Sequence, residues 1–428
     1  MKRKVLIISK LIVVAAGFAL LLSAVREKKM TLSDQAVKEQ VIEKPPAEEI
    51  ILQREPTETA AVEQKDLRYC LPQTIQVLIQ NDGYCGYYHD EVMIGTGAEK
   101  EYFIKKDNRE ENKLIGKWDN ATVYSIQRAD GNPTYEGRME LYETPDGYVL
   151  INSIDLESYI KSVLPGEMPS TYPTEALKAQ AVCARTYAAY QIEARRKWME
   201  EGQPQEHPVW NYADVDDSTA FQVYANRKRT PECDAAVDAT SGEIRLQDNE
   251  PQLLTYYSTS ALDPMEEEEA WYRWEYENKQ MSAKNLGERM IRSGFVELDN
   301  PKKLRVYRMS VSRFREDGRA EELVIETNQG TFHISGEYNI RGVLCDGVSQ
   351  VTCQDGSKST PERLLPSAFF ALETIQNKEY VIGYKLSGGG FGHGDGLSQN
   401  GAKAYAKQGY SYSEILNKYY QEGEWSNR

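Results

Sequence analysis

The chain has 428 residues, 40% of them apolar, and it carries a formal net charge of -15. This length and apolar content allow one large domain or two ordinary ones with real hydrophobic cores, which excludes a wholly disordered protein. The acidic charge argues against a nucleic-acid partner, because phosphate binding needs clustered Lys and Arg.

The N-terminal residues predict that most of the protein lies outside the cytoplasm. Residues 1–4 (MKRK) are basic, and residues 5–25 are almost entirely apolar, close to the ~20 residues that a membrane-spanning helix needs. A cleaved signal peptide is the alternative, although residues 22–24 (LSA) lack a clean A-x-A pattern. Because the basic residues lie on the short side, the positive-inside rule places the rest of the chain outside. We therefore predict a cytoplasmic tip and transmembrane anchor at residues 1–29, making a single-pass cell-membrane protein with an extracytoplasmic domain.

A linker and a strand-rich region follow the anchor. Residues 30–66 are rich in Glu, Lys, Pro and Thr, which predicts a disordered linker. An ordered domain is predicted over residues 67–428. Apolar and polar residues alternate at strand period in residues 71–80 (LPQTIQVLIQ), and strand-like runs continue at 135–142 and 148–152.

The pattern then changes to helical spacing, over about residues 153–200. Pro165 and Gly166 predict the end of a first helix, and Pro173 suits the first position of an alanine-rich second helix. The first helix has apolar residues at Leu156, Tyr159, Ile160, Val163 and Leu164.

Strand signals return at about residues 304–350, and a last helix is predicted near residues 412–420. Strands on both sides of a helical segment predict an α+β fold with mixed β-strands.

A glycine-rich motif stands near the end of the chain, at residues 387–402. Residues 388–402 (GGGFGHGDGLSQNGA) hold seven of the 30 glycines and one of the four histidines. Glycine is tolerated where φ must be positive or where a ligand approaches the main chain closely. The motif therefore predicts a functional site.

The sequence predicts no metal or other cofactor. The six cysteines include no C-x-x-C pair, so a zinc framework is not expected. Cys70 with Cys85 and Cys345 with Cys353 are plausible local disulfides in an oxidising compartment, and free buried thiols are an equal alternative. Residues 266–269 (EEEE) are predicted to be a solvated acidic loop rather than a metal site.

Two stretches resemble the signatures of the stage II sporulation protein D (SpoIID/LytB) family. Residues 156–169 (LESYIKSVLPGEMP) and 175–188 (EALKAQAVCARTYA) resemble its first signature. The glycine-rich motif resembles the second, which reads approximately G-x-G-x-G-H-G-x-G-x-S-Q-x-G-A. Both motifs are long and stand in the right order, and the resemblance covers about residues 74–420.

The resemblance implies a peptidoglycan lytic transglycosylase. Characterised members cut glycan strands between N-acetylmuramic acid and N-acetylglucosamine and leave 1,6-anhydro ends. They prefer denuded strands, from which an amidase has removed the stem peptides. We accordingly expect peptidoglycan glycan strands as substrate, an amidase as a potential partner, and a role in sporulation or cell-wall remodelling.

Glu167 is the candidate catalytic acid/base. It follows the predicted helix end and lies between Pro165 and Pro169, which stiffen its backbone. A transglycosylase needs a single carboxyl, because the 6-hydroxyl of the substrate itself attacks the anomeric carbon. To act as an acid near neutrality, Glu167 needs a raised pKa, most simply through burial. An exposed glutamate after the helix is the alternative.

The resemblance also implies substrate-binding residues. Arg185 corresponds to the arginine of the first signature and is expected to position substrate or a loop, with a structural salt bridge as the alternative. His393 is expected to donate to a sugar or a carboxylate, although the motif could also be only a tight structural turn. The other predicted cleft residues are Tyr257, Ser258, Ser398 and Gln399.

Two departures from the family pattern stand out. Asp395 replaces an apolar residue, and the segment after Ser258 lacks the usual Ser-Gly-Gly-x-Thr, which puts substrate contacts from that loop in doubt. A non-catalytic peptidoglycan-binding or scaffold protein is therefore the alternative function. A serine hydrolase using His393 and Ser398 is a weaker one, because no G-x-S-x-G elbow is present.

Overall fold

The computed structural model describes residues 69–105, 113–203, 207–294, 296–420 and 424–425. The predicted anchor and the whole of the predicted linker, with its boundary at residue 67, lie outside these residues. Within them, no helix is both long and apolar enough to cross a membrane. Helices and several sheets are mixed, which confirms the α+β prediction.

The elements are numbered in chain order. The α-helices are α1 (Leu156–Glu167), α2 (Thr174–Glu200), α3 (Pro231–Ala239), α4 (Ala283–Arg292), α5 (Glu337–Leu344), α6 (Gln399–Lys407) and α7 (Tyr412–Tyr419). The strands are β1 (Thr74–Ile79), β2 (Glu91–Gly95), β3 (Glu101–Ile104), β4 (Lys113–Val123), β5 (Thr134–Thr144), β6 (Gly147–Asp155), β7 (Val215–Asp216), β8 (Arg245–Gln247), β9 (Glu250–Pro251), β10 (Tyr256–Tyr257), β11 (Trp274–Asn278), β12 (Val306–Phe314), β13 (Ala320–Thr327), β14 (Gly330–Ser335), β15 (Val351–Cys353), β16 (Lys358–Ser359), β17 (Phe370–Asn377), β18 (Tyr380–Gly388), β19 (Leu397–Ser398) and β20 (Glu424–Trp425).

The described residues divide into two compact units. Residues 270–393 form one of them, here called the insert, and the remaining described residues, up to 269 and from 394, form the main unit. The boundary falls between His393 and Gly394 and so divides the glycine-rich motif.

The main unit is built on a seven-stranded sheet of order β3-β2-β4-β5-β6-β1-β7. Its strands pair antiparallel except for β1 with β7, which are parallel. Ile75, Val77 and Ile79 of β1 are fully buried in one core with α1 and α2, and Leu78 packs on the opposite face. The alternation in the sequence therefore marks a strand covered on both sides.

Helix α1 positions the candidate catalytic residue. It continues through Pro165 and Gly166, so the predicted helix end was wrong by two or three residues, and Glu167 is its last residue rather than the one beyond it. A proline in the last turn removes only one backbone hydrogen bond, and Pro165 is buried in the core. Met168 N–H then closes the turn on the Leu164 carbonyl at 2.9 Å. The backbone of Glu167 is thereby held by the helix itself.

The insert has its own core and two sheets, of order β16-β15-β11-β18-β17 and β12-β13-β14. Strands β12 to β14 confirm the strand signals predicted within residues 304–350, but the helix α5 also lies in that range. Gly336, with a φ of 86°, ends the strand pattern before the helix, whose Ile340, Val343 and Leu344 are buried.

Candidate active site

Glu167 borders a cavity of about 520 Å³ in the main unit. The lining comprises the end of α1, the segment that follows it to Thr171, and Asp130, Arg227, Lys228 and Thr230. The residue is half-buried, since it faces this space while protein atoms surround the carboxyl group. A cavity of this size can hold a ligand of a few sugar rings, and the Glu167 carboxyl in its wall can contact such a ligand.

Two donors hold the Glu167 carboxyl. Val223 N–H donates to Oε1 at 2.6 Å, and the side chain of Tyr256 forms a second hydrogen bond. Burial raises the pKa of Glu167 to about 7, although both donors act to lower it. Gly166 allows this geometry, because a Cβ there would stand 2.9 Å from the Val223 carbonyl oxygen. Near neutral pH the carboxyl is therefore present in both protonated and ionised forms, as acid–base catalysis requires.

A buried hydrogen-bond chain orients Tyr256. The fully buried Gln222 accepts from the Tyr159 hydroxyl at 3.1 Å, and its Nε2 donates to the Tyr256 oxygen at 3.0 Å and to the Ala184 carbonyl at 3.2 Å. Because the Tyr256 oxygen accepts from Gln222, its own proton is left to donate to Glu167. Sequence reasoning missed both residues. Tyr256 adjoins the predicted Tyr257, but no pattern distinguishes Gln222.

Arg185 acts inside the fold rather than at the cavity. Its guanidinium is fully buried and forms two bonds of 2.7 Å with the Glu157 carboxylate. It also donates to the carbonyls of Glu243 at 3.1 Å and Val237 at 3.3 Å. These contacts fit the salt-bridge alternative and the loop-positioning role of Arg185. The predicted contact of Arg185 with substrate is not possible here, because a side chain at 0% exposure cannot reach a glycan.

The second half of the glycine-rich motif supports the strand that carries Tyr256. Strands β10 and β19 pair in parallel, with Tyr256 opposite Leu397. Gly396 has a φ of 79°, and a Cβ there would stand only 1.9 Å from the Thr255 carbonyl oxygen. This glycine is required by backbone packing.

Ser398 is structural as well. Its hydroxyl is fully buried, accepts from Gly401 N–H at the start of α6, and donates to Glu266 Oε2 at 2.8 Å. The predicted substrate contact is therefore corrected, because a buried hydroxyl with these partners cannot reach a sugar.

The remaining predicted cleft residues of the main unit are half-buried. Tyr257 lies opposite Ser398 in the β10–β19 pair, and the Ser258 carbonyl accepts from Asn400 N–H at 3.0 Å. Gln399 donates to Gln180 at 3.5 Å. The residues just before the segment that departs from the family pattern are thus joined to the glycine-rich motif by backbone pairing.

His393 is the last residue of the insert. It is half-buried, and the Arg319 guanidinium donates to its backbone carbonyl. Asp395, in the main unit, accepts from the Thr255 hydroxyl through its own carbonyl at 3.1 Å. A role for His393 at the glycan stays a prediction.

Glu266 contradicts the predicted solvated loop. It is fully buried, and Ser260 N–H donates to its Oε2 at 2.9 Å beside the bond from Ser398. Burial raises the pKa of Glu266 to about 8. Glu267 and Glu268 are exposed, as predicted. The acidic run is therefore part core and part surface.

All six cysteines carry free thiols, and neither of the two local disulfides that the sequence allowed is formed. Cys70 and Cys85 are exposed, and the other four are buried. In the described ranges no group of three or more His, Cys, Asp or Glu side chains is arranged to hold a metal ion.

Together these features define an α+β protein with a cavity-facing carboxyl whose pKa lies near neutrality. Residues 144–246 match the family described as Stage II sporulation protein (SpoIID), and residues 221–396 match a domain of unknown function (DUF8618). Part of the chain is therefore similar to the SpoIID family. The SpoIID match contains Glu167, Gln222 and Val223.

The chain is also similar to individual bacterial proteins. The chain is similar to an uncharacterized protein of Brachyspira hyodysenteriae, with 27% identity over 82% of this chain and 88% of that protein. It is also similar to the stage II sporulation protein D of Bacillus subtilis, with 27% identity over 63% of this chain and 74% of that protein. Similarity to the amidase enhancer of Bacillus subtilis, at 25% identity, covers 61% of this chain but only 39% of that protein.

Proposed function

We propose that this protein is a peptidoglycan lytic transglycosylase that cuts denuded glycan strands between N-acetylmuramic acid and N-acetylglucosamine, with Glu167 as its acid/base. The observation that carries the proposal is the Glu167 carboxyl, which borders a cavity and has a pKa raised to about 7 by burial. The similarity of residues 144–246, which include Glu167, to the SpoIID family supports it.

One carboxyl is sufficient for both proton transfers. Protonated Glu167 donates to the glycosidic oxygen as the bond from C1 of muramic acid to that oxygen breaks. The resulting carboxylate then accepts the proton of the 6-hydroxyl as O6 bonds to C1 and closes the anhydro ring. No water is consumed, and Glu167 ends protonated, ready for the next cut. The donors Val223 N–H and Tyr256 stabilise the transient carboxylate.

Digestion of denuded glycan strands tests the proposal. Wild-type protein should release 1,6-anhydromuramic ends, and Glu167→Gln should release none. Glu201→Gln, a change at an exposed glutamate after α2, is the matched control and should behave as wild type. Reducing muramic acid ends would instead indicate a hydrolase that uses water.

A non-catalytic wall protein is the second candidate. The observation that favours it is the structural use of the fully buried Arg185 and Ser398 side chains, which leaves fewer polar groups for substrate than the sequence predicted. Similarity to a protein named amidase enhancer suggests an amidase as partner in that case. Such a protein would bind insoluble wall material equally well with and without Glu167 and would cleave it in neither form.

We further propose that the segment at residues 1–29 anchors the protein in the cell membrane, with the described units outside the cytoplasm. Membrane fractionation, followed by protease treatment of intact spheroplasts, tests this. Recovery of full-length protein in the soluble fraction would contradict it.

A further inference from the structure

A second cavity continues the space beside Glu167. It has a volume of about 330 Å³ and shares Asp130, Arg227 and Lys228 with the 520 Å³ cavity. All of these residues belong to the main unit. The two spaces therefore form one groove, here called the Glu167 groove, in which Arg227 and Lys228 stand on the common wall.

These two cations are not neutralised by close ion pairs. Lys228 is exposed, and among the described residues no carboxylate lies within salt-bridge distance of its ammonium group. Arg227, also exposed, has only a long contact of 3.7 Å to Asp130. Asp130 instead uses its other oxygen to accept from the backbone N–H of Lys228 at 2.9 Å. Asp130 thus fixes the main chain below the cations more than it compensates their charge.

The neighbouring Arg229 shows the contrast. Its guanidinium pairs with Glu136 at 2.5 Å and with Asp234 at 2.8 Å, so its charge serves the fold. Arg227 and Lys228 are left facing the groove in a chain whose net charge is -15. Two such cations are not needed to bind a neutral sugar, but they are electrostatically complementary to a sugar that carries an anionic substituent.

We propose that Arg227 and Lys228 are specificity-determining residues that bind the carboxylate of a lactyl group on muramic acid. This inference rests on the proposed function. A stem peptide joined to the lactyl group by an amide leaves no charge at that position, and its removal exposes a carboxylate. Guanidinium and ammonium groups are donors without acceptors, and they bind a carboxylate through charge-assisted hydrogen bonds that an amide cannot match. The two residues thereby favour strands without peptides over strands with them.

The test compares two forms of the same glycan strands, one with free lactyl carboxylates and one with these groups converted to methylamides. Wild-type kcat/KM should be about tenfold higher on the free carboxylates, through KM, and the preference should shrink as salt is added because both cations are exposed. In Arg227→Gln/Lys228→Gln the ratio of kcat/KM between the two strands should fall to about one. Lys302→Gln/Lys303→Gln, an exposed adjacent pair in the insert with the same loss of charge, should retain the wild-type preference.

Binding of both strands to the Glu167→Gln protein separates recognition from catalysis. Preferential binding of free-carboxylate strands without any cleavage by the wild type would overturn the proposed function and support the recognition. Equal binding or cleavage of the two strands by wild type, or an unchanged preference in the Arg227 and Lys228 double variant, would overturn this inference while the transglycosylase stands. A circular dichroism melt confirms that the variant is folded.

Discussion

Glu167 and Glu266 are two carboxyls of the main unit that are surrounded by protein atoms and accept hydrogen bonds from the same kinds of donor. Each accepts one backbone N–H, from Val223 and Ser260 respectively, and one side-chain donor. Burial raises both pKa values, to about 7 and about 8. They differ in access, because Glu167 borders the groove and Glu266 is at 0% exposure.

The difference teaches that a raised pKa marks a desolvated carboxyl and not, by itself, a catalytic one. Glu266 joins the Ser260 turn to Ser398 at the start of α6, and so it holds the β10–β19 pair in place. Glu167 is desolvated as well, but it borders a groove that a substrate can enter. Access separates the chemical role from the structural one.

The largest expected effect comes from exchanging each carboxyl for an amide. Glu167→Gln should lower the release of anhydro ends at least 100-fold, because the amide cannot transfer the proton. Glu266→Gln should change activity less than about threefold, since an amide keeps the acceptor for Ser260 and Ser398. Rates on denuded strands measure both, and a larger loss from Glu266→Gln than from Glu167→Gln would reverse the assignment.

The next effect is on stability against pH. Both carboxyls have folded pKa values above their usual 4.5, so the folded state binds more protons and its stability is full below pH 4.5 and falls as pH rises through about 7 and 8. We expect wild type to lose on the order of a few kcal/mol of unfolding free energy between pH 5 and pH 8. Glu266→Gln should lose distinctly less. Urea unfolding at the two pH values measures this, and identical losses would show that Glu266 is not neutral in the fold.

The smallest effect concerns Tyr256, the side-chain donor of Glu167. Because the Tyr256 hydrogen bond lowers the pKa of Glu167, Tyr256→Phe should raise it and move the alkaline limb of the pH–rate profile up by about one unit. Tyr224→Phe is the control, since that buried hydroxyl donates to Asn152 at 2.6 Å. An equal shift in both variants would indicate a general loosening of the core.

Several features followed from local sequence alone. Alternation at strand period predicted β1, and apolar spacing predicted α1 and the last helix α7, because these periodicities follow from backbone geometry. The signature around Glu167 identified the candidate carboxyl. Its requirement for a raised pKa followed from the chemistry of proton transfer, and the structure agrees.

Partners far apart in the chain were decided only by the tertiary structure. Glu167 meets Val223 across 56 residues, Arg185 meets Glu157 across 28, and Glu266 meets Ser398 across 132. Periodicity shows which face of an element is buried, but it does not show which distant polar group forms a hydrogen bond with a residue on that face. For that reason the sequence identified the catalytic candidate, while the fold assigned Arg185, Ser398 and Glu266 to structural roles and brought Tyr256 and Gln222 to the site.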